Sequence, residues 1–408
     1  MSLIVKKFGG TSVADTACLH RAADLIAEDY KAGNDVIAVV SAQGDTTDAL
    51  LEKALQVNPS GASRRETDVL LSAGEQMSAA LLAMSIERLG LPVVSLLGWQ
   101  AGFHTDSNYS SARIKRIDTE RLKSELSRKN IIIVAGFQGI NKFDDITTLG
   151  RGGSDTSAVA LAAVLKAARC QIYTDVPGVF TADPRKVPNA RKLSEITYDE
   201  MLELASLGAQ VLNNRSVEMA KKYNVELEVL SSFERESGTI VKENAKMEKM
   251  VIRSIAKDRD VCTVYITGLC DAPGIAFKVF NRLAQSGITV DLISHTAESH
   301  GKTDIMFTVK KDDRAETLRA LESLKPVLHY ESVETNIGIC KISVVGSGMA
   351  SHPGVAAKMF EVLYDLGISI QMIASSEIKI SVVIDEKEAD RAVIALHEAF
   401  MESPSFSD

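Results

Sequence analysis

From its start to about residue 230, this chain alternates short apolar runs with helix-like stretches, and no other feature constrains the fold as much. Strand candidates are Val36–Val40, Val93–Leu97, Ile131–Ala135, Gln171–Thr174 and Leu227–Leu230. Helix candidates are Thr16–Lys31, Asp68–Leu89, Thr119–Arg128, Ser157–Ala168, Tyr198–Leu204 and Val217–Tyr223. Strands apolar on both faces must be covered on both, so the pattern predicts a largely parallel sheet between helical layers, an α/β three-layer sandwich. Ligands of such sheets gather beyond the carboxyl ends of the strands. The glycine- and hydroxyl-rich segments of this chain fall at those ends.

A chain of 408 residues exceeds one ordinary core. The polar stretch Glu234–Lys249, interrupted by Ile240–Val241, reads as a link to a second region. Beyond it, Pro273-Gly274-Ile275-Ala276-Phe277-Lys278-Val279-Phe280 recurs as Pro353-Gly354-Val355-Ala356-Ala357-Lys358-Met359-Phe360, offset by 353 − 273 = 80 residues. Gly287-Ile288 and Ile293 recur in the same register as Gly367-Ile368 and Ile373. Each copy reads strand, Pro-Gly turn, helix, Gly-Ile turn, two strands, helix, strand: a ferredoxin-like βαββαβ unit present twice. Two copies are too few for a solenoid and predict a paired module. The expected domains are 1–243, 244–332 and 333–408.

The net charge of −8 and pI near 5.6 argue against a nucleic-acid partner, and no dense Lys/Arg stripe with interleaved aromatics opposes that. Cys18, Cys170, Cys262, Cys270 and Cys340 form no CxxC pair, so neither a disulfide framework nor structural zinc is expected, and reduced thiols fit a cytoplasmic protein. Lys6 and Lys7 interrupt the first apolar run, unlike a signal peptide. No apolar stretch is expected to reach the roughly 18 residues of a membrane span.

Five segments could carry chemistry. Lys7-Phe8-Gly9-Gly10-Thr11-Ser12-Val13 runs from an apolar strand into a glycine pair and helix-opening hydroxyls. Glycines bring backbone N–H groups close to a ligand, a helix start attracts phosphate, and Lys7 adds a positive charge. This suits phosphoryl transfer, which is mostly positioning and charge neutralisation, although the pattern is not a P-loop. Gly150-Arg151-Gly152-Gly153-Ser154-Asp155-Thr156-Ser157 is a second such loop. Arg151 there can grip a carboxylate, and Asp155 can hold Mg²⁺ through water or orient Lys7. Ser41-Ala42-Gln43-Gly44-Asp45-Thr46-Thr47 follows the strand Val36–Val40, with a helix start at Asp48. Glu75 sits inside an apolar helical pattern and can meet a substrate amino group. Tyr173–Arg185 follows a strand, where Asp175, Arg185 and Phe180 can flank a nucleotide. Taken alone, each segment also fits an ordinary capped turn or an exposed helix.

Together, KFGGTSV at 7–13, SAQGDTTD at 41–48, LLSAGEQ at 70–76, GRGGSDTS at 150–157 and YTDVPGVFTADPR at 173–185 resemble the monofunctional aspartate kinases of the amino-acid kinase family. The repeats resemble that family's paired ACT domains. The resemblance implies transfer of the ATP γ-phosphoryl to the side-chain carboxylate of L-aspartate. It implies Mg²⁺ bound mainly through the ATP phosphates, and no metal held by the protein alone. It gives Lys7 and Asp155 catalytic roles. It puts Ser41, Thr47, Glu75, Phe137, Arg151, Gly152 and Ser154 on aspartate. It puts Lys7, Phe8, Gly9, Gly10, Thr174, Asp175, Phe180, Asp183, Arg185, Gln210 and Val211 along ATP. The chain departs from the family where Gln210-Val211-Leu212-Asn213-Asn214 replaces a Lys-Val-Leu-His-Pro stretch, leaving the phosphates without that lysine unless Arg215 or another cation substitutes. The ACT likeness implies feedback by lysine, threonine or both, at Asp271, Gly274, Ala276, His295, Ser351, Ser369, Ile370, Ser375, Ser376 and Glu377. It also implies strand exchange between the repeats, with Met250–Lys257 pairing with the second, and a homo-oligomer built through them. Some relatives also make a shorter regulatory subunit from an internal start, here near Met247 or Met250. The alternatives are a kinase of another small acid, such as glutamate, and a non-catalytic amino-acid sensor.

Overall fold

The computed structural model describes residues 2–207, 211–244, 251–296, 301–347, 349, 352 and 354–401. Gln210, Met247, Met250 and Ser351 lie outside the described residues. The described residues divide into two units. Those of Met1–Phe180, Lys192–Ala205 and Gln210–Met247 form the first, and those of Thr181–Arg191, Ser206–Ala209 and Glu248–Asp408 the second.

The first unit runs β1 (Leu3–Phe8), α1 (Thr16–Lys31), β2 (Asp35–Val40), α2 (Thr46–Val57), α3 (Arg64–Glu87), β3 (Val93–Leu96), β4 (Phe103–Thr105), β5 (Ile114–Ile117), α4 (Glu120–Ser127), β6 (Ile131–Ala135), β7 (Gln138–Ile140), β8 (Ile146–Thr148), α5 (Gly153–Leu165), β9 (Arg169–Thr174), β10 (Glu195–Thr197), α6 (Tyr198–Ser206), α7 (Asn214–Tyr223), β11 (Leu227–Ser231) and β12 (Thr239–Lys242). Its main sheet has the order β10-β12-β11-β9-β1-β2-β6-β3 and is parallel except between β11 and β12. Phe8 pairs with Val40 and Tyr173, Val40 with Ala135, and Thr174 with Ser231, so the carboxyl ends of β1, β2, β6, β9 and β11 are level. Alternate residues of a strand face opposite ways. Val36, Ala38, Val40, Ile131, Ile133 and Ala135 pack on Leu19, Ala22, Ala23 and Ile26 of α1 and on Ala79, Leu82, Ala83 and Ile86 of α3. Val39, on the other face, meets the start of α5. The expected three-layer sandwich follows.

Several details differ from the expectations. The stretch Glu234–Lys249 is not simply a link. Its residues Thr239–Lys242 form β12, which joins the sheet because Thr239 and Val241 bury their side chains. Helices α2, α3 and α5 begin at Thr46, Arg64 and Gly153, earlier than Asp48, Asp68 and Ser157, because Ser63 caps α3 and the glycine loop leads straight into α5. A small sheet, β5-β4-β7-β8, was not foreseen, since its strands have only three or four residues. One helix, α3, is long and apolar enough to cross a membrane by length and composition, contrary to expectation. Its buried Asp68 and Glu75 are hydrogen-bonded within the unit, as in a core helix.

The second unit contains β13 (Ser254–Asp258), β14 (Cys262–Cys270), α8 (Ile275–Gln285), β15 (Ile293–His295), β16 (Lys302–Val309), α9 (Arg314–Glu322), α10 (Lys325–Leu328), β17 (Ser332–Asn336), β18 (Ile339–Val345), α11 (Val355–Asp365), β19 (Met372–Ser375), β20 (Lys379–Asp385) and α12 (Ala389–Met401). The first repeat forms the antiparallel sheet β15-β16-β14-β17 and the second forms β13-β18-β20-β19. Strand β13 precedes the first repeat but pairs with β18 of the second, Ser254 opposite Val345 through Asp258 opposite Lys341. The second copy thus takes its fourth strand from before the first copy, not from after α12. Leu292 and Met372, 372 − 292 = 80 residues apart, meet in a shared cluster with Val261, Ile339 and Val383. The buried Lys341 ties the repeats together, pairing with Asp291 and lying 3.4 Å from Asp258. Ala182 and Val187 enter the second repeat's core.

Candidate active site

Two consecutive lysines on β1 point to opposite faces of the sheet. Lys6 faces α1, where its Nζ lies 2.6 Å from Asp29 Oδ2 and donates to Gln171 Oε1 (2.8 Å) and Tyr173 Oη (3.1 Å). It is buried and fully engaged. Lys7 faces α5, where its Nζ lies 2.6 Å from Asp155 Oδ1, with both side chains almost buried. Asp155 sits in the first turn of α5. The chain bends after Phe8, where Gly9 donates to the Tyr173 carbonyl (3.2 Å). Gly10 lies against the loop after β2: a Cβ there would be 2.9 Å from the Ala42 carbonyl oxygen. The two loops are joined where Ser41 N–H donates to Phe8 O (3.1 Å) and Gly44 N–H to Gly10 O (3.0 Å).

Helix α3 presses on the same loop. A Cβ on Gly74 would lie 2.7 Å from Ala42 Cβ, so only glycine permits the approach. The next residue, Glu75, is 4% exposed and accepts a hydrogen bond from Ala42 N–H (3.1 Å) on Oε1. Its Oε2 is buried and has no partner. Burial pushes its pKa up to about 7 from 4.5, against the smaller opposing effect of the Ala42 N–H. Such a carboxyl is matched to a cationic group, and none of the described residues provides one. Thr47, half-buried, lies in the first turn of α2.

The loop Gly150–Gly153 between β8 and α5 is held from several sides. Gly150 and Gly152 have φ of 80° and 67°, which favours glycine. Among the described residues, their N–H groups and that of Arg151 donate to no protein acceptor. Such alternation of backbone forms a concavity that suits an anion. Arg151 is exposed. Ser154 lies against Gly136 at the end of β6, where a Cβ would be 2.9 Å from its Oγ. Phe137, with φ of 69°, packs over Gly153, and its N–H donates to Ser157 Oγ (3.1 Å). Lys7, Gly10, Ser41 and Phe137 therefore lie at the carboxyl edge or on the loops that leave it, and Glu75 of α3 and Ser154 and Asp155 at the start of α5 are brought to it.

Thr174 ends β9, and its hydroxyl donates to Asp175 Oδ1 (3.0 Å). Phe180 is half-buried and bridges to Lys192. Asp183 and Arg185 belong to the second unit, where Arg185 Nε donates to Asp183 Oδ1 (3.0 Å). Val211 is half-buried in the turn before α7. Arg215 is not a spare cation: its guanidinium donates to the Leu149 and Ala112 carbonyls, both at 2.8 Å. In the first repeat, Asp271, Gly274 and Ala276 follow β14, and His295 ends β15 with Nε2 2.9 Å from Thr303 Oγ1. Asp271, whose N–H donates to Gly301 O (3.0 Å), and His295 flank the start of β16. In the second repeat Ser369 and Ile370 precede β19, while Ser375, Ser376 and Glu377 lead into β20.

Residues that sequence reasoning missed support the site from behind. Fully buried Asp68 accepts from Thr148 N–H (2.9 Å), Thr148 Oγ1 (2.8 Å) and Ser110 N–H (2.9 Å), fixing the strand that enters the Gly150 loop. Its signal was available: a carboxylate two helical turns before Glu75 on an otherwise apolar face.

Residues 2–231 match the amino acid kinase family, and 264–324 with 342–400 match the ACT domain. An aspartokinase of Geobacillus stearothermophilus is 52% identical over 402 residues, spanning 98% of this chain and 97% of its own length. The chain belongs to the aspartokinases of the amino acid kinase family. Solved aspartokinase structures share its fold. E. coli aspartokinase III in complex with aspartate and ADP superposes with a TM-score of 0.83 at 26% identity, over 98% of this chain and 100% of that one. The same enzyme in complex with lysine and aspartate gives 0.76 at 26% identity, over 97% and 99%. The kinase-family segment here precedes a tandem ACT region.

Proposed function

We propose that this chain transfers the γ-phosphoryl group of ATP to the side-chain carboxylate of L-aspartate, giving 4-phospho-L-aspartate for lysine, threonine, methionine and diaminopimelate synthesis. The observation that carries the reading is the Lys7–Asp155 pair at the carboxyl edge, between two glycine loops and near a buried, half-satisfied carboxyl. A carboxylate acceptor is already ionised near pH 7, so the site needs cations and N–H dipoles more than a strong base. A carboxylate oxygen forms a bond to the γ-phosphorus as the bond to the β,γ-bridging oxygen breaks, and ADP leaves. Lys7 neutralises the phosphoryl oxygens, and Asp155 orients it. Gly9 and Gly10 bring backbone close to the phosphates, which Phe8 helps to frame. Glu75 receives the substrate ammonium. Arg151, with Gly152 and Ser154, holds a carboxylate, and Ser41, Thr47 and Phe137 close the pocket around aspartate. The likeness to the aspartate kinases assigns Thr174, Asp175, Phe180, Asp183, Arg185, Gln210 and Val211 to the nucleotide.

Mg²⁺ fits this site as an ion carried by ATP. Among the described residues no group of three His, Cys, Asp or Glu side chains could hold a metal, and Asp155 is committed to Lys7. Bound through the phosphates, the ion would neutralise charge on the transferred group.

The reading extends to three domains, 1–243, 244–332 and 333–408, the last completed by β13. Lysine, threonine or both bind at the two repeats near Asp271, Gly274, Ala276 and His295, and near Ser351, Ser369, Ile370, Ser375, Ser376 and Glu377. The repeats build a homo-oligomer in the cytoplasm, and a shorter regulatory subunit starts near Met247 or Met250. The lysine complex named for the E. coli relative supports the regulatory part. ADP release should be followed with L-aspartate and L-glutamate in parallel, with and without lysine and threonine. Aspartate is expected to be strongly preferred, and one or both effectors to inhibit. Equal rates with glutamate would overturn the substrate assignment, and indifference to both effectors would overturn the regulatory one.

A further inference from the structure

The loop that carries Arg151 is anchored on its far side by the start of α7. Asn213 Nδ2 donates to the Arg151 carbonyl (3.2 Å), and Arg215 Nη1 donates to the Leu149 carbonyl (2.8 Å). Asn213 Oδ1 accepts from Arg215 N–H (3.0 Å), so the same side chain also caps α7. The contact is close: a Cβ on Gly152 would fall 2.3 Å from Asn213 Cβ. Arg215 Nη2 reaches the Ala112 carbonyl (2.8 Å), and Ala112 N–H donates to Thr148 O (2.9 Å), tying the clamp to the small sheet.

These contacts fix peptide planes. A trans peptide points its C=O and N–H in opposite directions. Turning the carbonyls of Leu149 and Arg151 toward α7 therefore turns the N–H groups of Gly150 and Gly152 away from it. Those are the donors that have no protein acceptor. At glycines such a peptide could flip cheaply, because neither φ sign is excluded. The clamp removes that freedom.

We propose that Asn213 and Arg215 are positioning residues. They hold the Leu149–Gly150 and Arg151–Gly152 peptides in the orientation that presents the Gly150 and Gly152 N–H groups, and the Arg151 side chain, to a carboxylate of the amino-acid substrate. This rests on the reading of the site as an aspartate kinase. Asn213 then does two separable things: its oxygen caps a helix and its nitrogen sets the loop.

Asn213→Asp separates them. The carboxylate keeps the size and the cap acceptor but loses the donor and places an anion beside the Arg151 carbonyl. Asn213→Ser is a second variant that keeps a cap but cannot span to that carbonyl. Aspartate and ATP saturation are measured for wild type and both variants, with thermal unfolding of each. Both variants should unfold near the wild-type temperature, and their KM for aspartate should rise about 3- to 10-fold, the range of one lost hydrogen bond. KM for ATP should stay unchanged. Wild-type aspartate KM in Asn213→Asp would reduce the residue to a helix cap and overturn the proposal. An equal rise in both KM values would overturn it too, because the loop would then not be reserved for the substrate. A wild-type chain that does not phosphorylate aspartate would overturn the functional reading and this inference together, whereas an active wild type with unaffected variants overturns only the latter.

Discussion

Replacing Lys7 by Met should lower kcat about 100- to 1,000-fold, the usual cost of removing one preorganised donor from a site of developing charge. Methionine keeps the buried stem and removes only the ammonium. Lys7 suits this role because of where β1 puts it. Its side chain leaves the sheet on the α5 face, at the level where β1, β2, β6 and β9 end, and meets Asp155 at 2.6 Å. The pair is nearly buried, so the field of the ammonium is little screened by water. Substrate and nucleotide are both anions, and their mutual repulsion must be offset at the point of transfer. Steady-state rates at saturating ATP and aspartate test this, with circular dichroism confirming the fold. Turnover within threefold of wild type would remove Lys7 from the mechanism.

Glu75→Gln should weaken kcat/KM for aspartate by about 30-fold or more, since truncating one partner of a buried charge pair costs roughly 2–5 kcal/mol. The same change should stabilise the ligand-free protein at pH 8. The sign follows from the raised pKa. The folded protein keeps the Glu75 proton up to about pH 7, while an unfolded chain loses it near 4.5. Stability associated with this group is therefore present below pH 4.5 and is lost as pH rises through 7, a cost on the order of 3 kcal/mol at most. Glutamine carries no such cost and still accepts from Ala42 N–H. Wild type should bind aspartate better as pH rises through about 7, and the variant should lose that limb. Thermal unfolding at pH 5 and 8, with aspartate kcat/KM across the same range, measures both. A variant with wild-type affinity would show that the ammonium binds elsewhere.

The parts of this architecture that were legible in the sequence share one property: their physics is local. Strand β6 reads as a strand because all five residues are apolar, and they are all buried. Helix α1 runs over the expected Thr16–Lys31 because its apolar face is periodic and Asp15 caps it. Gly10 and the Gly150 loop announce themselves because backbone that approaches an anion closely needs glycine. What escaped notice depends on contacts between distant segments. Thr239–Lys242 looked like part of a polar link, but its hydrogen-bonding groups are met by β10 and β11. Asp68 looked like one more helical carboxylate until Ser110 and Thr148 came to it. The sequence marked Asn213 as unusual without showing that its amide reaches Arg151, 62 residues away. The exchanged strand β13 gives no local sign of which repeat it serves; its pairing with the second repeat was expected from the ACT likeness alone, and β18 does leave the edge that it fills.

The central claim concerns the identity of the phosphorylated product, and trapping it is the most direct measurement. The wild-type chain is incubated with MgATP, L-aspartate and hydroxylamine, and aspartyl hydroxamate is compared with ADP released. The account predicts hydroxamate that depends on both substrates and matches ADP one for one. ADP released without hydroxamate, or no turnover by folded protein in the presence of Mg²⁺, would contradict it.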